Sequence, residues 1–489
     1  MGSRYKGKPM VVGNLNASEG CEVLVIGAGP GGYLCAIRLA QLGKDVILVD
    51  KRASLGGVCL NEGCIPSKAI IHAAELLEQT KHASEMGLVF NDEPTIDMKQ
   101  LQAWKSKVVT RLTGGVKQLE KAHGVRIMQG TATFTDNHNV ELANDEDDRT
   151  INIQFDHAVI ATGTSAIELP PVPFDGDWVI GSREALEQDT LPQRLVVIGG
   201  GYIGLELGTA YRKLGSEVSI VELQDDLLGG RLEPEIHRLV RRRAKALGID
   251  LWLKHKAVSA KPGEGGTPGI VKIVDEEGKE SELLADKVLV VIGRRPNTSG
   301  IGLENIGISL DEHNCIPVDE YRRTKVPNIF AIGDITGQPM LAHKAYREAK
   351  VAAEVIAGHP AAYDVRVVPA VMFTDPEVAT VGLTEAEAKE AGYEVITGNF
   401  PLKASGRALT LGGPDGFAKF VADKETQRLL GVHLAGPHVA ELIAEGALAI
   451  ELDAFLDDIA NTIHPHPTLS EALLEAAELA LGTCAHFKK

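Results

Sequence analysis

The feature that most restricts the fold is a glycine-rich unit that occurs twice at one offset. Val25, Ile26, Gly27, Gly29, Gly32, Leu42, Gly43, Val46, Val49 and Asp50 return 172 residues later as Val197, Ile198, Gly199, Gly201, Gly204, Leu214, Gly215, Val218, Val221 and Glu222. Chance does not keep one offset across so many positions. In the first copy, Cys21 to Ile26 reads as an apolar strand, a helix runs from the Gly-x-Gly-x-x-Gly turn to Leu42, and Asp45 to Val49 forms the next strand, closed by Asp50. In such a unit, N–H groups at the helix N-terminus hold a pyrophosphate and the terminal acid takes a ribose hydroxyl. A lone Gly-x-Gly-x-x-Gly is weak evidence; with strand, helix and acid in register it is strong. Two dinucleotide sites are expected.

The second feature is Gly56-Gly57-Val58-Cys59-Leu60-Asn61-Glu62-Gly63-Cys64-Ile65-Pro66-Ser67-Lys68. In an undistorted helix, residues five apart lie about 8–9 Å apart at Cα, beyond the roughly 7 Å that a disulfide spans. If Cys59 and Cys64 are bonded the backbone is distorted there, and Gly63 is the residue most able to bend. A strained disulfide is easily reduced and suits a catalytic pair. The alternative is two ordinary buried thiols.

At 489 residues the chain is expected to hold two to four domains. A net charge of −17 argues against nucleic acid and anionic membranes as partners. No run of 18 apolar residues is present. The first 20 residues have no apolar core of a secretory signal and read as a loose tail. Six scattered cysteines do not make a disulfide scaffold, so a reducing compartment, the cytoplasm, is expected.

Between the two units, Ile70 to Leu77 and Leu101 to His123 carry helical periodicity, and Val125 to Leu142 reads as strands. Pro170-Pro171-Val172-Pro173 reads as an extended linker. Lys261 to Gly269 reads as a loop, and Val288 to Pro296 as one buried strand containing Gly293. Beyond about residue 365, strand, turn and helix alternate without a third glycine fingerprint. Near its end the chain has His464-Pro465-His466-Pro467-Thr468-Leu469-Ser470-Glu471 and an alanine-rich helix. Thr468 and Glu471 have capping-box spacing, Thr at N-cap and Glu at N3. That explains both residues without chemistry, but not two histidines each set before a proline, which favours extended backbone.

The Gly56–Lys68 stretch resembles the redox centre of the flavin disulfide reductases, whose pattern Gly-Gly-x-Cys-x-x-x-x-Gly-Cys-x-Pro is specific to that family. The resemblance runs from about residue 20 to about residue 480 and is strongest to the dihydrolipoyl-oxidising members. It implies an α/β fold with two Rossmann-like dinucleotide-binding domains, for FAD and NAD, and a C-terminal α+β dimerisation domain. The expected bounds are a tail over 1–20, an FAD domain over 21–165 continued by 291–364, an NAD domain over 166–290 and an interface domain over 365–489.

The resemblance also implies roles. FAD would lie at Gly27, Gly29, Gly32 and Asp50, with Ala132 (glycine in many relatives), Lys68, Asp334 and Ala342. The first loop runs directly into the cysteines, and a flavin can accept the two electrons that a dithiol gives up together. NAD would lie at Gly199, Gly201, Gly204 and Glu222, with Tyr202 at the nicotinamide pocket and Gly293 where the chain returns to the flavin domain. Glu222 would repel a 2′-phosphate, and the next arginine is Arg231, so NAD is favoured over NADP. Glu206 would pair with Lys68, which stands one turn past Cys64. Taken alone, Asp334 reads equally as a helix N-cap, and Lys68 and Glu206 as surface charges.

Cys59 would take the substrate's attack and Cys64 would lie against the flavin. His466 would be the acid–base, a role its side-chain type fills at neutral pH, with Glu471 orienting it. Pro465 departs from the family's usual alanine. In the family this histidine completes the site of the other subunit, so a homodimer is implied, serving lipoyl domains of 2-oxoacid dehydrogenase or glycine-cleavage assemblies. No metal is implied. Glutathione-reductase-like and mercuric-reductase-like enzymes are the rival chemistries: Glu222 opposes the first, and Cys484, standing alone, the second. A non-catalytic redox sensor would need no His466–Glu471 pair.

Overall fold

The computed structural model describes residues 17–488, apart from 93, 145–148, 231 and 414. They form two compact units: 17–67 with Gln102–Ile167 and Gly293–Asp364, and Lys68–Leu101 with Glu168–Ile292 and 365–488. The architecture is the expected mixed α/β one.

The first unit is built on parallel strands in the order Arg126–Gln129, Val46–Asp50, Ala17–Ile26 and Arg149–Ile160. Val23, Leu24, Val25 and Ile47 are fully buried, because the sheet is covered on both faces and its strands read as continuous apolar runs. Arg149–Ile160 is shared: its first half pairs with Asn139–Asn144, and its last three residues pair with Ile329–Ala331. That second pairing carries the Gly293–Asp364 segment into this unit. The helices Pro30–Gln41 and Ala342–Ile356 belong to the same unit, the first with proline at its start and Gly43 (φ +81°) just past its end.

The second unit holds a parallel sheet of Asp250–Leu253, Glu217–Glu222, Arg194–Ile198, Lys287–Val290 and Val179–Ile180. It also holds an antiparallel sheet of Ala370–Met372, Val378–Gly382, Leu429–Ala435, Phe417–Asp423 and Val395–Pro401. The helices Val439–Glu451 and Glu471–Leu481 contribute to the apolar core over that second sheet.

Four local expectations are corrected. The strand starts at Ala17, so residues 17–20 are not tail; they pair in parallel with Ile151–Gln154. Pro170 and Pro171 sit in a turn closed by a Val172 N–H to Leu169 carbonyl bond of 2.7 Å, not in an extended linker. Val288 to Pro296 is two strands, Lys287–Val290 and Arg294–Pro296, because Gly293 at φ +137° turns the chain between sheets. The capping box is half made: the Thr468 N–H donates to Glu471 Oε2 (2.8 Å), but the helix starts at Glu471 with Ser470 as N-cap. The Thr468 hydroxyl goes instead to the Pro465 carbonyl and the Ser470 hydroxyl.

Candidate active site

The two glycine loops are near-copies in hydrogen bonding as well as in sequence. The Gly27 N–H donates to the Val49 carbonyl and the Gly199 N–H to that of Val221. Asp50 accepts from the N–H of Ala28 (2.7 Å) and of Arg52 (2.8 Å), while Glu222 accepts from the N–H of Gly200 (2.5 Å) and of Gln224 (2.8 Å). Each acid therefore fixes the shape of its own loop. Arg231 lies outside the described residues.

The glycines divide into two kinds. At Gly27, Gly32, Gly199 and Gly204 the chain itself forbids a side chain, since a Cβ would strike neighbouring backbone. Gly29 and Gly201 are different. Each is a helix N-cap with ordinary φ (−69° and −70°), and nothing of the protein lies within 4 Å of where a Cβ would be. Glycine there leaves room for something that approaches the helix N-terminus from outside, as a pyrophosphate does. Both loops fit a dinucleotide on this ground. Gly201→Val is accordingly expected to leave thermal stability unchanged and weaken NADH binding at least tenfold, about 1.4 kcal/mol, as read by titration.

The cysteine stretch is stitched to the first loop. The Gly56 N–H donates to the Ala28 carbonyl (2.8 Å), and a Cβ on Gly57 would come within 2.6 Å of Gly29 Cα. Asn61 clamps the stretch by donating to the carbonyls of Leu55 (3.0 Å) and Gly57 (2.9 Å). Cys59 lies in the helix Gly57–Glu62 and Cys64 opens the helix Cys64–His82. Gly63, at φ −145° and ψ −107°, breaks the helix between them, and the two cysteines lie near each other.

Asp334 sits inside the short turn Gly333–Thr336 and is not a helix N-cap. Its Oδ2 accepts from the Thr164 hydroxyl at 2.9 Å. The Gly333 N–H before it is held by buried Glu348 (2.6 Å), which also meets Arg322 (3.0 Å) and Lys344 (3.3 Å). Thr164 and Glu348 carry no local signal in the sequence. Ala342 opens its helix, so its N–H is among those without an intrahelical acceptor. Ala132 is buried in the strand Thr131–Asp136.

In the second unit Lys68 Nζ donates to Glu206 Oε2 at 2.7 Å and lies 4.6 Å from the centre of the Phe373 ring. Glu206 is 4% exposed, and its other oxygen accepts from the Phe373 N–H (2.8 Å). The pair joins a half-buried lysine to a buried glutamate that backbone also holds, so Glu206 is not a surface charge. Tyr202, the first residue of its helix, is exposed. Gly293, where a Cβ would press on Ile167 at 3.3 Å, lies between the two strands noted above.

His466 Nδ1 is 2.8 Å from Glu471 Oε1, and the imidazole is 82% exposed. Partial burial would raise the Glu471 carboxyl, but the Thr468 N–H and the His466 ring outweigh it and hold it below its ordinary value. A carboxylate on Nδ1 fixes the proton there and leaves Nε2 as the basic nitrogen. His464 is tied down differently, between Glu445 (2.8 Å) and the Thr462 carbonyl (2.9 Å).

Comparison with known proteins agrees. Residues 21–349 match the pyridine nucleotide-disulphide oxidoreductase family and residues 368–477 its dimerisation domain. The chain is 50% identical to a dihydrolipoyl dehydrogenase of Haloferax volcanii, covering 98% of this chain and 99% of that protein. It is 48% identical to one of Geobacillus stearothermophilus over 98% and 99%. Among solved structures, LpdA from Mycobacterium tuberculosis superposes with a TM-score of 0.86 at 28% identity, over 94% of this chain and 99% of that one. The HOCl-induced flavoprotein disulfide reductase of Escherichia coli gives 0.82 at 27%, over 94% and 99%. Members of the family contain FAD and use NAD(H). With its two dinucleotide loops, paired cysteines and dimerisation domain, the chain belongs to the pyridine nucleotide-disulphide oxidoreductase family.

Proposed function

We propose that the chain is an NAD-dependent dihydrolipoyl dehydrogenase, acting as a homodimer on lipoyl domains of 2-oxoacid dehydrogenase or glycine-cleavage assemblies in the cytoplasm. The matched dimerisation domain supports the homodimer. The observation that carries the chemistry is the stitching of the Cys59–Cys64 stretch to the first dinucleotide loop, which puts a dithiol beside the site read as the flavin's. FAD would be held by the first loop with Lys68, Asp334 and Ala342, and NAD by the second with Glu222; bound there, they supply two-electron acceptance and hydride transfer.

The chain's own residues do the sulfur chemistry. His466 Nε2, on the partner's site in the dimer, takes the proton of a substrate thiol. The thiolate attacks Cys59, the Cys59–Cys64 bond breaks, and its electron pair stays on Cys64. The second substrate thiol gives its proton to solvent and, as a thiolate, attacks the sulfur joined to Cys59; the lipoyl ring closes, the electron pair is left on Cys59, and His466 then returns the first proton to that sulfur. Glu471 keeps the imidazole oriented throughout. Lys68, paired with Glu206, sets a positive charge one turn beyond Cys64.

Activity with NADH against NADPH, using lipoamide and glutathione disulfide as acceptors, tests this assignment. NADH with lipoamide is the expected pair; turnover only with NADPH and glutathione disulfide overturns it. Glu222→Gln keeps an acceptor for the Gly200 N–H while removing the charge. It is expected to shift preference toward NADPH by about one to three kcal/mol, the scale of a hydrogen bond to a charged group. Unchanged ratios of kcat/KM would remove Glu222 from cofactor selection.

A further inference from the structure

Two tyrosines that nothing above assigns lie in the same unit as the cysteines. Tyr33 lies on the helix that follows the first glycine loop, and Tyr346 on the helix opened by Ala342. Their hydroxyls meet at 2.9 Å, with ring centres 6.3 Å apart and planes at 63°. Tyr33 packs on the same apolar cluster as Cys59 and Ile65. Charge on Cys59 acts on both phenols, and charge on Cys64 acts on Tyr346. Burial is the main reason both phenols are held above their ordinary range, so both stay protonated.

A phenol carries one O–H donor. The pair has two such protons and uses one internally. Among the described residues the other has no protein acceptor. A half-buried donor is thus left over on the apolar cluster that also carries Cys59, a sulfur that becomes an anion each time the lipoyl ring closes.

We propose that the Tyr33–Tyr346 pair donates its remaining hydroxyl proton as a hydrogen bond to the Cys59 thiolate. The inference rests on the proposed function, in which Cys59 leaves as a thiolate when the lipoyl ring closes and attacks as one in reverse. No proton is transferred: the O–H bond stays intact, and the electron pair released from the breaking S–S bond settles on a sulfur that a neutral donor already faces. Neutral phenols cannot replace His466 as base, so the pair lowers the basicity of Cys59 without competing for the substrate's proton.

Tyr33→Phe, Tyr346→Phe and the double variant remove only oxygen atoms and keep the ring packing. In reduced holoenzyme freed of excess reductant, iodoacetamide labelling of Cys59, followed by peptide mass analysis, is expected to slow about tenfold in the double variant, as one hydrogen bond to an anion is lost. The kcat for dihydrolipoamide should fall with it while KM holds, and electron transfer from NADH to an artificial acceptor should be unchanged. Cys59 labelling at the wild-type rate in all three variants would overturn the proposal, as would equal slowing at Cys64. Wild-type turnover of dihydrolipoamide on the same preparation reads the proposed function separately. Its absence would overturn that function while the labelling rates still decide the tyrosines.

Discussion

Cys59→Ser and Cys64→Ser are each expected to reduce dihydrolipoamide turnover by on the order of 10⁴-fold or more, the scale seen when a nucleophile is removed outright. The two variants should nevertheless look different. Cys59→Ser leaves Cys64 with no partner to bond, so a thiolate beside oxidised flavin should give a long-wavelength absorbance in the enzyme as isolated. Cys64→Ser should lack that absorbance at every stage of reduction. Neither change should cost much stability, because Cys59 is only partly buried and Cys64 is exposed. A normal melting temperature with lost turnover is therefore the expected pairing. Wild-type turnover in both variants would sink the disulfide mechanism.

The second large effect belongs to His466. A thiol of ordinary pKa near 8.5 is only a few per cent ionised at pH 7, so attack on Cys59 requires a base. His466→Gln is expected to lower dihydrolipoamide turnover by about 10²–10⁴-fold, the usual worth of general acid–base catalysis. Transfer from NADH to a one-electron acceptor should persist, because it needs no proton from this residue. Glu471→Gln should fall between the variant and wild type. It keeps an acceptor for the Thr468 N–H but loses the charge that holds Nδ1 protonated. The sign of the pH dependence follows from Glu471. Its carboxyl is held below its ordinary value, so its contribution is complete above that range and lost only as pH falls through the lowered one. Through neutral pH Glu471 therefore stays ionised. Full turnover in His466→Gln would place the base elsewhere.

Much of this protein is legible in its sequence, because the informative patterns are local. The repeat at an offset of 172 predicts two dinucleotide units, and the structure shows both loops closed by the same hydrogen bonds. A turn, its glycines and the acid at the strand end lie within about two dozen residues, so spacing alone sets their geometry. The cysteine stretch and the His466–Glu471 segment were visible for the same reason, and Gly63 breaks the helix where the spacing of Cys59 and Cys64 pointed.

Local rules also produced the errors. Thr468 and Glu471 fit a capping box, but the Thr468 hydroxyl found Pro465 and Ser470 instead, moving the helix start to Glu471. Gly293 divided one apolar run into two strands because the flanking residues pair with different sheets.

What only the tertiary structure decided are contacts between residues far apart in the chain: Lys68 with Phe373, Thr164 with Asp334, Ala28 with Gly56, and Tyr33 with Tyr346. Sequence spacing fixes geometry over a turn of helix or a pair of strand residues. Which distant side chains meet is settled by the packing of buried apolar surface, a property of the whole core that no short window of sequence contains.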